Sequence, residues 1–206
     1  VPPDRAVPVI GAPYEDGDEA GTPARPRTTR AGRNRMPTQE QVDAASAIET
    51  ALKEAELEYE RPRPDAFLVT LPGERKLKTL VWLNIGEHSL LLKSFFCRRP
   101  DENEGEFYRY LMRRSADMYG MAFTADEVGD VYITGRLPLT GITPREVDRL
   151  LGCVLSYSDD NFNPALERGF ATAIRKEWAW RTKRGVSRRN LKAFRHLVEQ
   201  GPDGEG

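Results

Sequence analysis

Residues 77–96 read LKTLVWLNIGEHSLLLKSFF. Leu77, Thr79, Val81, Leu83 and Ile85 alternate with Lys78, Leu80, Trp82 and Asn84. After a short turn at Gly86, Glu87 and His88, Leu90, Leu92, Ser94 and Phe96 alternate with Leu91, Lys93 and Phe95. Successive side chains of a strand point to opposite faces, so two period-2 runs joined by a tight turn predict an antiparallel hairpin. A solvated second face would be polar. Leu80, Trp82, Leu91 and Phe95 make this one apolar, so the sequence predicts that something covers it.

Working outward, Phe67, Val69 and Leu71 alternate up to a Pro72-Gly73 turn and add a strand before the hairpin. Upstream, Thr38 and Gln41 have capping-box spacing, and Val42, Ala45, Ile48, Leu52 and Ala55 recur at helical spacing. The Arg61-Pro62-Arg63-Pro64 segment is expected to end that helix, because proline lacks the amide donor. Downstream, Arg98 to Pro100 breaks the sheet, and Asp101 with Glu104 predicts a capped second helix carrying Phe107, Tyr108, Leu111 and Met112. Gly120 reads as its left-handed stop. Met121 and Phe123 begin a fourth strand; Val131, Ile133 and Leu137 form a fifth, in which Gly135 marks a bulge or a close backbone approach.

Thr143-Pro144-Arg145-Glu146 opens a third helix, with a cap and a proline in its first turn. Val147, Leu150, Leu151, Val154 and Leu155 give it an amphipathic stripe. The polar run Ser158 to Asn161 is expected to interrupt it, and Asn163-Pro164 to restart a helix bearing Leu166, Phe170 and Ile174. A last short helix carries Leu191, Phe194, Leu197 and Val198. The reading is an α+β protein in α-β-β-β-α-β-β-α order, with an antiparallel sheet of about five strands and extra C-terminal helices. It forms a single domain over residues 38–199.

The 206 residues are 39 % hydrophobic and 31 % charged, with 15 prolines and 17 glycines, and those values average two unlike regions. Residues 1–37 hold almost nothing large and apolar and are expected to be a disordered or extended arm; residues 200–206 are expected to fray. In the arm, Glu15, Asp16, Asp18 and Glu19 form an acidic block, followed by Arg25, Arg27, Arg30, Arg33 and Arg35. We read it as a solvated tail whose blocks attract each other. A formal net charge of −1 gives the whole chain no strong electrostatic drive toward nucleic acid or membrane. Cys97 and Cys153 sit in apolar patterns, as free buried cysteines do, which favours a reducing cytoplasm. The stretch as read is expected to carry no leader, and no apolar run in it reaches the length of a membrane span.

Chemistry leaves few marks. The histidines are His88 in a turn and His196 in the last helix, neither with metal ligands at a recognisable spacing. No Gly-rich phosphate loop and no nucleophile motif is present, so no catalytic residue, metal or cofactor is expected. Residues 175–195 are basic, with Trp178 and Trp180 beside them. Arg184, Arg188, Arg189 and Lys192 are the candidates for contacting nucleic acid, the alternative reading, in which indoles stack on bases. The same tryptophans are as well suited to pinning the C-terminal segment onto the sheet. The sheet offers edges and half-apolar faces to an extended peptide or a second copy of the chain.

Residues 78–139, KTLVWLNIGEHSLLLKSFFCRRPDENEGEFYRYLMRRSADMYGMAFTADEVGDVYITGRLPL, followed by DRLLG, FNPALERGF and EWAW, resemble an actinobacterial member of the YbjN family. The resemblance covers about residues 38–181 and leaves the tails outside it. It implies a fold like that of type III secretion chaperones, often dimeric, and a label as sensory-transduction regulators. It brings no catalytic motif. It implies a non-catalytic, chaperone-like cytoplasmic regulator that binds a protein or peptide partner, with a homodimer possible. Candidate contact residues are Trp82, Phe95, Arg98 and Arg99 near the sheet, and Trp178, Trp180 and Arg181 after it.

Overall fold

The computed structural model describes residues 36–199; the expected arm, save Met36 and Pro37, and the tail lie outside them. Helix α1 (Gln39–Glu54) is followed by strands β1 (Glu58–Arg63), β2 (Ala66–Pro72), β3 (Lys78–Ile85) and β4 (Ser89–Cys97). Helix α2 (Glu104–Ser115), strands β5 (Met121–Ala125) and β6 (Val131–Pro138), a 3-10 turn (Leu139–Gly141), helix α3 (Pro144–Arg184), a 3-10 helix (Arg189–Phe194) and helix α4 (Arg195–Glu199) complete it. The six strands lie in the order β1-β2-β3-β4-β6-β5, all neighbours antiparallel.

The sixth strand replaces the expected breaker. Helix α1 ends earlier, at a Schellman turn: Glu56 takes a left-handed φ of 52°, its amide donates to Lys53, and Leu57 donates to Leu52. Arg61-Pro62-Arg63 then belongs to β1, an edge strand, where a residue without an amide donor is tolerated. The capping box at Thr38 and Gln41 is formed as expected.

The second helix starts differently. Asn103, in a left-handed conformation and without a side-chain cap, precedes Glu104. Asp101 is drawn elsewhere, its carboxylate to Arg98 and its amide to helix α3, which does not break at Ser158 to Asn161. It runs through them and through Pro164, and its backbone departs from helix at Phe170. There the freed carbonyl of Gly169 accepts from the amides of Asp101 and Glu102. The Glu102 carboxylate accepts from the Thr172 amide at 2.6 Å and its hydroxyl at 2.8 Å. The β4–α2 loop therefore caps both sides of the kink in α3.

The polar run stays helical because each side chain meets a partner. Ser158 is buried against Thr79, with hydroxyl oxygens 3.3 Å apart. Tyr110 donates to Asn161 at 2.8 Å. Asp159 accepts the amides of Glu74, Arg75 and Lys76 at 2.7, 3.1 and 2.9 Å, and Arg75 pairs with Asp160.

The core lies between one sheet face and the helices. Phe67, Val69, Val81, Leu83, Leu90, Leu92, Phe96 and Ile133 pack there against Ile48, Leu52, Phe107, Val154, Phe170 and Ile174. The alternation read from residues 79–96 sends its odd-numbered β3 and even-numbered β4 residues into this layer. Leu77 falls outside, 60 % exposed in the β2–β3 loop.

Candidate protein-binding face

The other sheet face carries the residues between those core positions. Leu68 on β2 stands opposite Trp82 on β3, Trp82 opposite Lys93 on β4, and Lys93 opposite Thr134 on β6. Asn84 faces Leu91, and Phe95 faces Tyr132. Leu68, Leu80, Trp82, Leu91 and Phe95 are half-buried, and none of them joins the cluster in which all the long helices take part. Among the described residues, no helix supplies the cover that the sequence leads one to expect.

This face is internally organised. The Phe95 and Tyr132 rings meet edge to face at 5.6 Å, and the Lys93 ammonium lies 3.9 Å from the centroid of the Tyr132 ring. Tyr132 itself is buried, and loss of solvation, with Asp126 and Asp130 nearby, raises its phenol. The indole N–H of Trp82 and the amide nitrogen of Asn84 are buried without an acceptor among the described residues.

Both sheet edges are closed to simple strand addition. Edge strand β1 carries Pro62, charged residues and a register shift between Glu60 and Arg63. On the opposite edge, the Phe123 amide of β5 donates to Ser115 Oγ of α2 at 2.9 Å.

The other candidate contact residues lie away from this face. Arg98 makes a double hydrogen bond to Asp101, at 2.6 and 2.7 Å, and lies 4.6 Å from the centroid of the Phe170 ring. Its role is to brace the kink in α3. Arg99 pairs with Glu104 at 3.2 Å. Trp178 packs partly against the core and Trp180 is 44 % exposed. Arg181 forms a well-shielded pair with Glu177 and donates to Ser187 O, which fixes the turn after α3. Of the nucleic-acid candidates, Arg184 lies over Trp180 at 4.9 Å and Arg188 over Trp178 at 5.2 Å. Each indole thus already carries a guanidinium, while Arg189 and Lys192 are exposed.

Sequence reasoning missed one titratable cluster. The Lys76 ammonium donates to the carbonyl of Phe95 and lies 5.7–6.0 Å from the rings of Phe95, Phe96 and Phe162. Loss of solvation lowers it to about 8, with Cys97 and Asp159 pulling it back up. Burial pushes the Cys97 thiol up to about 12, so it stays protonated at neutral pH. An amine on a backbone carbonyl beside a neutral thiol forms a structural plug; no activated nucleophile results. A lysine in a charged loop gives no signal in sequence of such an environment. No group of three or more His, Cys, Asp or Glu among the described residues could hold a metal ion, and no described helix is long and apolar enough to cross a membrane.

Solved structures of similar fold include the Yersinia pestis type III secretion chaperone SycH in complex with a stable fragment of YscM2. It is 16 % identical, with a TM-score of 0.43, over 56 % of this chain and 96 % of that one. The ExsC–ExsE complex is 12 % identical with a TM-score of 0.45, over 60 % and 93 %. An uncharacterized protein of Mycobacterium tuberculosis is 48 % identical over 155 residues, 73 % of this chain and 85 % of that relative. One of Mycobacterium leprae is 46 % identical over 167 residues, 79 % and 91 %. The family model described as "YbjN: Putative bacterial sensory transduction regulator" matches residues 44–167. On that match and those relatives, the chain belongs to the YbjN family.

Proposed function

We propose that this chain is a non-catalytic, chaperone-like regulator of the cytoplasm that holds a partner protein against the second face of its sheet, centred on Trp82 and Phe95. One observation carries this reading: a half-apolar sheet face to which none of the long helices contributes core contacts. Apolar surface left to water costs about 25 cal/mol per Å², and a partner that covers it recovers that free energy. The blunted edges favour contact through the face over strand addition. The family's description as a regulator agrees with a protein that acts by contact. The two free cysteines suit a reducing compartment.

The test is affinity capture from native lysate by wild type, by Trp82→Asp and by Leu91→Asp, with circular dichroism to verify that each variant is folded. The same protein should be recovered reproducibly by wild type and lost from both variants. Equal recovery by all three would remove the face from the interaction.

A further inference from the structure

A second surface stands apart from the sheet and does not depend on its reading. Helix α3 stops at Gly185, which takes a left-handed φ of 66°, and the chain returns as the 3-10 helix Arg189–Phe194. Residues three apart in a 3-10 helix lie in line. Leu191 and Phe194 form one line, 0 % and 3 % exposed, and it packs the element onto α3. That fixes the direction of the next line. Arg189 and Lys192, one third of a turn away, are exposed, and so is Arg195, the first residue of α4. With Arg188, Trp178 and Val198 they border a shallow groove of about 560 Å³. Its walls are held by the Arg181 hydrogen bond to Ser187 O and the Arg175 bond to Leu197 O, at 2.7 and 2.8 Å.

The groove is rich in uncompensated positive charge. Arg195 pairs with Glu199, the one acid that lines it. Arg188 lies over the Trp178 ring and donates to the Thr182 hydroxyl. Arg189 and Lys192 have no side-chain partner among the described residues. The Arg195–Glu199 pair shows that a carboxylate fits against this line from within the chain.

We propose that the groove binds an extended acidic segment of a partner protein, with carboxylates at every second residue meeting Arg189, Lys192 and Arg195. Two features select that ligand. Arg189 and Lys192, three residues apart in the 3-10 helix, are separated by about 6 Å of rise, close to the roughly 6.6 Å between alternate side chains of an extended strand, and Arg195, the first residue of α4, continues the row beyond the end of that helix. The Trp178 and Trp180 rings carry the guanidinium groups of Arg188 and Arg184, and this occupies ring faces that would otherwise stack on bases. Three or four cations in a line suit a short acidic stretch better than the six to ten phosphates, roughly, of an extended nucleic-acid contact.

Fluorescence anisotropy on the full chain tests this with three labelled peptides: Gly-Glu-Ser-Glu-Ser-Glu-Gly, a version with its three glutamates contiguous, and one with glutamine throughout. A single-stranded oligonucleotide serves as the fourth probe. The alternating peptide should bind more tightly than the contiguous one, and the glutamine peptide should not bind. Affinity should fall about tenfold between low and physiological salt, as for a surface ion cluster. Arg189→Ala with Lys192→Ala, both exposed, should weaken it about tenfold or more, while Lys53→Ala on α1 leaves it unchanged. Absence of peptide binding, equal binding of the glutamine peptide, indifference to the double substitution, or tighter binding of the oligonucleotide would each overturn the proposal. The last of these would assign the groove to nucleic acid.

Discussion

Lys93 holds its ammonium 3.9 Å from the centroid of the Tyr132 ring, across the gap between neighbouring strands β4 and β6. The pair closes one end of the half-apolar face, with Phe95 against the ring from the side. The cation can be replaced at little cost, while the ring fills a buried position. In urea denaturation, Lys93→Gln should cost less than about 1 kcal/mol, and Tyr132→Ala about 3 kcal/mol or more. Equal effects would mean that the cation carries the packing.

Asp159 ties the middle of α3 to the β2–β3 loop through three successive amides. Asp159→Ala leaves those donors without their carboxylate and should destabilise the protein by about 2 kcal/mol. Asp159→Asn, which keeps an acceptor oxygen, should recover part of that loss. Gly73 belongs to the same arrangement: a Cβ there would stand 2.8 Å from Asp159 Oδ1 and 2.4 Å from Lys76 O. Gly73→Ala should therefore destabilise too, and an unchanged denaturation midpoint in both variants would show that the loop does not need its anchor.

Lys76 gives stability a pH dependence of known sign. Its folded value, about 8, lies below the ordinary lysine value of 10.5. Between those pH values the unfolded chain binds more protons than the folded one, so stability rises with pH across that window, and the penalty for burying the charge is fully felt below about 8. Urea denaturation of wild type and Lys76→Met from pH 7 to 10.5 should show the wild type gaining on the variant as pH increases. A constant difference would mean that the ammonium is solvated in the folded state.

The kink in α3 rests on a close approach at Gly169. A Cβ there would lie 2.8 Å from both Pro100 Cβ and a ring carbon of Phe107, so Gly169→Ala should cost about 1–3 kcal/mol through overpacking. Glu102→Ala removes only the cap on Thr172 and should cost about 1 kcal/mol. Additive losses in the double variant would separate the two contributions, which share one junction; a smaller combined loss is expected.

How far the sequence reveals this molecule depends on the range of the interactions. Alternation over residues 79–96 reads directly because one face is buried at every second position, whereas Gly120, though its φ is 65°, does not stop α2, which has already ended at Ser115; it turns the chain into β5. Gly135, read as a bulge or close approach, is the latter: a Cβ would stand 2.7 Å from Gly120 O. Edge strand β1 is hidden because its proline and charges imitate a linker, and because the turn that ends α1 places Glu56 in a conformation usually taken by glycine. Ser158 to Asn161 reads as a break because its partners, Thr79, the amides of residues 74–76, Arg75 and Tyr110, are remote in sequence. For the face itself, the apolar character of Trp82 and Phe95 was legible. The burial of Tyr132 and the position of Lys93 over it depend on the pairing of β4 with β6, which local pattern does not encode. Asp101 and Glu177 stand three and four residues from Arg98 and Arg181 in the sequence, but that each acid is paired with its arginine is seen only once the loop and helix α3 have formed.

The central claim is that the second sheet face is where a partner is held. Site-specific photo-crosslinking in living cells tests it most directly, with a photoreactive side chain at Leu91 on that face and, as a comparison, at Met112, 73 % exposed on α2. The account predicts a discrete protein adduct from position 91 and none from position 112. An adduct from position 112 alone, or from neither, would contradict it.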